Sequence, residues 1–346
     1  MNQTSNYKTI EIDSSKGGGG DIWMRLSGFY SVAAISEKYK FKILIPVFLK
    51  DIAEHTFGSR LIIITKSDRK IKHSYTSLGL KDLLKPIIKG ARFISPYQRA
   101  VIHDKRKRYF KDHLNLALFD LADYLGLIQL PATRWIEHYQ GYLEIIGIKK
   151  LRNIGYDKFV DQLKADAAYI QSKLQQTIPV SSLLKIPRGF GSEIVIFPTG
   201  TGRQFVPLWW AKKNFPSAYY AFFSGDEDAE LFSSAGLKTI IFFGPGDIVK
   251  IALNARWVLS TDSFPSHLIQ SATKNCTILI TGTLRSRIIS PVFEGKVVNA
   301  EVSCHPCLHK ARKVHPECAA GFTECLNWKN DAYTQNIYDS IKSLTF

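Results

Sequence analysis

The sequence predicts an α/β protein built on doubly wound parallel sheets, and three observations predict it. From 194 to 280, short apolar runs alternate with helical stretches in the order β-α-β-α-β-α-β-α-β. The stretch 256–282, RWVLSTDSFPSHLIQSATKNCTILITG, is a strand, a polar turn, a helix and a second strand, the βαβ unit of a parallel sheet. In the first half, β-branched runs at 42–45 and 61–65 flank a segment of helical spacing at 48–57.

Length and composition set the bounds. A chain of 346 residues is long enough for two domains of ordinary size. Its 45% hydrophobic content is globular, and no run approaches the roughly 18 apolar residues of a membrane span. The first residues, MNQTSNYKT, are polar and lack the apolar core of a secretory signal, so the cytoplasm is the expected compartment. Lys and Arg number 46 against 30 Asp and Glu, a net charge of +16. That excess calls for an anionic partner: nucleic acid, phosphorylated lipid or a nucleotide-bearing substrate.

Taken in order, 1–13 contains one strand, YKTIEID. Four glycines and Asp21 follow, then a helical pattern through Trp23, Leu26, Tyr30, Ala33 and Ala34. Glycines before a helix let backbone approach a ligand, and the helix start favours negative charge; a flexible entry loop is the plainer alternative. Pro86 and Pro96 break the pattern across 66–100. The run His103-Asp104-Lys105-Arg106-Lys107-Arg108-Tyr109 reads as a solvated charged face, or as a patch for an anionic acceptor or membrane surface. A helix from 111 carries Leu114, Leu118, Leu121 and Leu125 on one side and ends at Gly126. Another, 157–177, buries Phe159, Leu163, Ala167 and Ile170. The segment 178–192, rich in Pro, Gly and Ser, marks the domain boundary.

The second domain holds strands at 194–197, 219–223, 239–243, 257–260 and 276–280. The first ends in Pro198-Thr199-Gly200-Thr201-Gly202-Arg203, which lacks the Gly-Lys-Ser/Thr ending of a Walker loop. The second ends in Ser224-Gly225-Asp226-Glu227. The fourth opens into Thr261-Asp262-Ser263, with His267 on the first turn of the helix that follows. In parallel sheets, ligands sit at such strand ends, although Thr, Asp and Ser also simply cap helices.

The residues 261–268, TDSFPSHL, resemble the D-[ST]-G-x-x-H-L signature of the ADP-heptose glycosyltransferases, the heptosyltransferase family. Gly20-Asp21-Ile22 resembles the family's amino-terminal G-D-[VI], and HLNLALFDLADYLGL its His-led helix. The resemblance implies two Rossmann-like domains facing across a cleft, the glycosyltransferase B arrangement. It also implies roles. Asp21 would be the catalytic base. Gly19, Gly20, Thr199, Gly200, Thr201, Arg203, Thr261, Asp262, Ser263 and His267 would meet the donor, with Arg203 as the cation for its diphosphate. Glu227, or its neighbours Asp226 or Asp228, would bind the donor ribose. No catalytic divalent metal is implied. One departure stands out: the family's glycine after Asp-Ser is Phe264 here, so backbone and phosphate cannot approach in the same way.

Cysteine usage divides sharply. Cys276 falls in a strand and reads as core. Cys304, Cys307, Cys318 and Cys325 form C-x2-C-x10-C-x6-C, a spacing suited to one zinc or iron ion. Any of His305, His309 and His315 could replace one ligand. The cluster resembles the carboxy-terminal one of autotransporter heptosyltransferases, which implies structural iron.

The expected domains are 1–180 on the acceptor side, 190–303 for the nucleotide-sugar donor, a cysteine finger at 304–325 and a helix at 330–346. The expected reaction is inverting transfer of a sugar, a heptose from ADP-heptose on the resemblance, to a hydroxyl of an anionic glycolipid (lipopolysaccharide) or a protein. Peripheral contact with the inner membrane surface fits the charge. Two alternatives remain: a non-catalytic nucleotide-sugar or glycan binder, and a basic nucleic-acid-binding protein with a metal finger. The finger has no basic recognition helix of its own, which counts against the last.

Overall fold

A computed structural model of the chain describes residues 8–15, 18–36, 39–65, 73–74, 155–199, 206–280, 288–299, 328 and 331–342. These fall into two compact units, and the division runs through two helices. The charged run at 103–109, the helix expected from 111 and the finger at 304–325 lie outside the described residues.

The first unit is built on a parallel sheet of β1 (Lys8–Asp13), β2 (Tyr39–Leu44), β3 (Leu61–Ile64) and the short β4 (His73–Ser74), in the order β3-β2-β1-β4. Its strands alternate as a half-covered sheet should: Ile10, Ile12, Phe41 and Ile43 are buried, while Glu11 and Lys42 pair across β1 and β2 at 3.0 Å. Helix α1 (Gly19–Ile35) is apolar on nearly every side and correspondingly buried, with Ile22, Trp23, Leu26, Phe29 and Tyr30 almost fully covered. After Pro46, a single 3₁₀ turn (Val47–Leu49) leads into α2 (Lys50–Phe57), so the helix expected from 48 begins two residues later. Helix α3 (Tyr156–Gln175) supplies this unit with Asp166, whose buried carboxylate takes the Arg60 guanidinium at 2.6 Å. That guanidinium also lies 4.3 Å over the Tyr30 ring.

The second unit takes Gly18–Trp23 from the start of α1, α3 from Ala167 onward, and the described residues after it. Its sheet has β5 (Ile194–Phe197), β6 (Tyr219–Phe223), β7 (Lys238–Phe242), β8 (Trp257–Thr261), β9 (Cys276–Ile280) and β10 (Lys296–Asn299). All neighbours are parallel, in the order β10-β9-β8-β5-β6-β7. Between the strands come α4 (Leu208–Asn214), α5 (Asp228–Ser234), α6 (Pro245–Asn254) and α7 (Phe264–Ala272). Helix α6 starts two residues earlier than its pattern suggests because Pro245 takes the first helical position, where its missing N–H costs nothing. The central strands β8 and β9 are buried along their whole length, as strands covered on both faces must be.

Helix α8 (Asp331–Lys342) closes one side of this core. Its Thr334 hydroxyl accepts the Trp210 indole N–H at 3.0 Å, Tyr338 donates to Asn214 O at 2.6 Å, and Ser340 meets Thr277 at 2.8 Å. Trp328 stands 4.8 Å from Trp210, and Tyr338 stacks on Phe215 at 4.9 Å. The segment before β5 is tied down as well: the backbone N–H groups of Ser181 and Phe243 donate to the two oxygens of buried Asp247, at 2.7 and 2.8 Å. Cys276 is buried, its Sγ lies 3.4 Å from Thr273 O, and burial pushes its thiol well above the usual range. Among the described residues, no helix is long and apolar enough to cross a membrane.

Candidate functional site

Relabelled within the second sheet, the strand order is 3-2-1-4-5-6, and it reverses between β5 and β8. Successive crossovers leave opposite faces at that point, so the carboxyl ends of these two strands flank a crevice that no crossover fills. β5 ends at Phe197 and runs through Pro198 to Thr199; β8 ends at Thr261 and runs into Asp262 and Ser263. Thr261 Oγ1 donates to Thr199 O at 3.4 Å, so the strand ends are joined across the reversal.

The loop after β8 is held by hydroxyls. Ser263 is the N-cap of α7, with extended backbone at φ −150. Its own hydroxyl turns back to Thr261 O at 3.1 Å. Ser266, three residues on, accepts from Ser263 N at 3.3 Å and donates to Ser263 O at 2.7 Å. Ser263 and Ser266 thus close the start of α7 as a reciprocal capping box, in which Ser266 is the member the sequence reading passed over. Asp262 and His267 lie beside this turn, with Oδ1 and Nε2 4.0 Å apart and side chains only 11% and 10% exposed.

The start of α1 lies against the same turn. A Cβ on Gly19 would stand 2.8 Å from Cδ2 and 3.0 Å from Cγ of Phe264. One on Gly20 would run into the His267 ring. Only residues without a side chain fit at both places. The bulk of Phe264 is therefore accommodated from the facing segment, where glycine supplies the space. The room freed by these two glycines holds the rings of Phe264 and His267. Asp21, next in the chain, is the acid of the first turn of α1.

The end of β6 brings the three neighbouring acids into different surroundings. Asp226, not Glu227, is turned into the sheet edge: its Oδ2 accepts from the Thr199 hydroxyl at 3.1 Å and its Oδ1 from Asp228 N at 3.1 Å. Glu227 is exposed. Burial, then the charges of Asp226 and Glu227, holds the Asp228 carboxyl above the ordinary aspartate range. Asp226 and Asp228 also have Asp-x-Asp spacing, but Asp226 is committed to Thr199. Among the described residues, no three His, Cys, Asp or Glu side chains are grouped to hold a metal ion. Gly200, Thr201, Arg203 and the cysteines 304, 307, 318 and 325 lie outside the described residues.

Thr199, Thr261, Asp262, Ser263 and His267 therefore share one edge of one sheet, with Gly19 and Gly20 packed on Phe264 and His267. Hydroxyls and a helix start collected at a strand-order reversal suit a phosphorylated ligand.

No family model matches the sequence, and no curated protein matches it. Solved structures do match in fold. A glycosyl transferase family 9 structure from Veillonella parvula aligns over 98% of this chain and 98% of its own, with TM-score 0.53 at 11% identity. Escherichia coli heptosyltransferase WaaC with ADP aligns over 96% of this chain and 100% of its own, with TM-score 0.47 at 11% identity. Escherichia coli ADP-heptose lps heptosyltransferase II aligns over 97% and 99%, with TM-score 0.46 at 11% identity. The first of these shows that the chain has the fold of that Veillonella protein along nearly its whole length.

Proposed function

We propose that this chain is an inverting glycosyltransferase that moves a sugar from a nucleotide-sugar donor to an acceptor hydroxyl. The observation that carries the reading is the packing of Gly19 and Gly20 against Phe264 and His267, on the first turn of the helix that follows the loop at 261–263 at the strand-order reversal. The donor diphosphate would lie at the start of α7, facing backbone N–H groups of a loop whose shape the hydroxyls of Thr199, Thr261 and Ser263 hold. Gly19 and Gly20 would add their amides. His267 and Arg203 would supply positive charge, and the exposed Glu227 would meet the ribose. Asp21 would take the proton from the acceptor hydroxyl as its oxygen attacks the anomeric carbon and the nucleoside diphosphate leaves. The family resemblance adds ADP-heptose as donor and a lipopolysaccharide or protein as acceptor, at the cytoplasmic face of the inner membrane. Four thiolates at 304, 307, 318 and 325 are a donor set that fits structural iron or zinc.

One observation favours a second reading, a non-catalytic nucleotide-sugar binder: Phe264 fills the place of a glycine in a loop that otherwise matches a phosphate-binding signature. A single experiment separates them. Thermal shift against a panel of nucleoside diphosphates and their sugars identifies the ligand, and release of nucleoside diphosphate with an acceptor extract tests transfer. Binding together with release supports the enzyme; binding without release, across acceptors, supports the binder. Absence of any nucleotide binding overturns both.

A further inference from the structure

Three contacts link α1 and α7 in step. Gly19 faces Phe264, Gly20 faces His267, and Trp23 Nε1 donates to Ser271 Oγ at 3.0 Å. The residue numbers rise together on both helices, so the start of α1 lies along α7 with the two first turns adjacent. Phe264 and His267 are three residues apart and therefore share a face of α7. On α1, two consecutive glycines form the matching depressions, and the indole of Trp23 carries the seam onward. The aromatic ring at 264 rests on the backbone of residue 19, two positions before Asp21.

We infer that Phe264 is a positioning residue: through Gly19 it fixes where the Asp21 carboxylate stands relative to the loop at 261–263. Phe264 does not itself act on substrate. Its ring sets the spacing between the first turns of α1 and α7, and the carboxylate on the one is thereby placed against the anion-binding loop of the other. Gly19 and Phe264 are one unit in this respect. Enlarging residue 19 pushes the turn that carries Asp21 off the ring, whereas shrinking residue 264 leaves that turn without its stop. Both changes displace a base whose action depends on hydrogen-bond reach to the acceptor hydroxyl. Neither removes a hydroxyl or a charge from the loop that would hold the diphosphate.

This inference rests on the transferase reading with Asp21 as base, and the experiment keeps the two separate. Gly19→Ala, Phe264→Ala and the double variant are compared with wild type for kcat and KM of sugar transfer, and for nucleoside diphosphate affinity by calorimetry. Asp21→Asn is measured alongside. Gly19→Ala is expected to lose kcat at saturating donor by about 10²-fold, the scale of an ångström-level misplacement, over and above any change in nucleotide affinity. Phe264→Ala is expected to lower kcat with KM for the donor unchanged. The double variant is expected to recover at least about tenfold of the Gly19→Ala loss, because the added methyl then meets no ring. Losses that simply multiply in the double variant, or a Gly19→Ala defect confined to nucleotide affinity, overturn the inference while leaving the transferase reading in place. Should Gly19→Ala fail to fold, Phe264→Ala and Phe264→Leu decide: kcat equal to wild type in both overturns it. Full turnover in Asp21→Asn, or no transfer by wild type with any donor, overturns the transferase reading and this inference with it.

Discussion

The Thr261 hydroxyl donates to the Thr199 carbonyl at 3.4 Å, joining β8 to β5 where the strand order reverses. The Thr199 hydroxyl in turn donates to Asp226 at 3.1 Å, so three strand ends form one hydrogen-bonded rim. Thr261→Val keeps the shape and removes the donor. It is expected to cost about 1 kcal/mol of stability, the usual worth of one hydrogen bond, and to weaken nucleoside diphosphate binding about fivefold as the rim loosens. Urea unfolding and calorimetry check the two effects; unchanged nucleotide affinity would separate the rim from the ligand site.

Asp21→Asn should fold normally and bind nucleoside diphosphate as wild type does. Asparagine caps and spaces the first turn much as aspartate does but cannot take a proton from a hydroxyl. Turnover is expected to fall on the order of 10²–10⁴-fold. Steady-state kinetics at saturating donor and acceptor is the measurement, and near-normal turnover removes Asp21 from the base role.

Asp247 holds Ser181 N and Phe243 N at once from a buried position. Asp247→Ala strands both N–H groups and should destabilise the second unit by about 3 kcal/mol, from two charge-assisted bonds. The midpoint of urea unfolding reads this directly. Asp247→Asn keeps one acceptor oxygen and should recover part of the loss.

The Asp228 carboxyl sits above the ordinary aspartate range because of partial burial and the neighbouring charges of Asp226 and Glu227. A carboxyl raised on folding binds more protons in the native state, so it lowers stability as pH rises from the ordinary aspartate range through the raised value. Above that window the penalty is complete; below the ordinary range it is absent. Asp228→Asn should therefore raise Tm slightly at pH 7, by about 1 °C for a group this open to solvent, and make no difference in acid. Calorimetric scans at pH 7 and at pH 3 test the sign; a variant that is less stable than wild type at pH 7 contradicts it.

Purified protein is expected to carry about one iron or zinc ion per chain on the cysteines at 304, 307, 318 and 325. Elemental analysis and thiol titration check this together. Four free thiols and no metal in folded protein would leave the cysteines without a ligand.

Much of the second unit was legible because its chemistry is local. The runs 194–197, 219–223 and 276–280 coincide with β5, β6 and β9, since short β-branched and aromatic runs bounded by turn residues admit few other readings. β10 was not read: Lys296-Val-Val-Asn is an edge strand that buries only Val298, and it is too short to show a period. The site was legible where residue type alone carried the signal, as at Thr261-Asp262-Ser263. It was not legible where the answer depended on a distant partner. Nothing near Asp226 reveals that it, and not Glu227, meets Thr199, 27 residues earlier. Nothing near the glycines at 19 and 20 reveals that two rings from α7 rest on them. Complementarity of that kind is a property of pairs far apart in the chain.

The packing of α8 on α4 bears on how the protein is made. Trp210 waits for Thr334, 124 residues further along, before its indole N–H finds a partner. At a synthesis rate of roughly 5–20 residues per second, that interval lasts roughly 6–25 s on the ribosome. Throughout it, Trp210 and Phe215 present an aromatic surface that Trp328 and Tyr338 will later cover. Without α8, that aromatic face of α4 would stand uncovered.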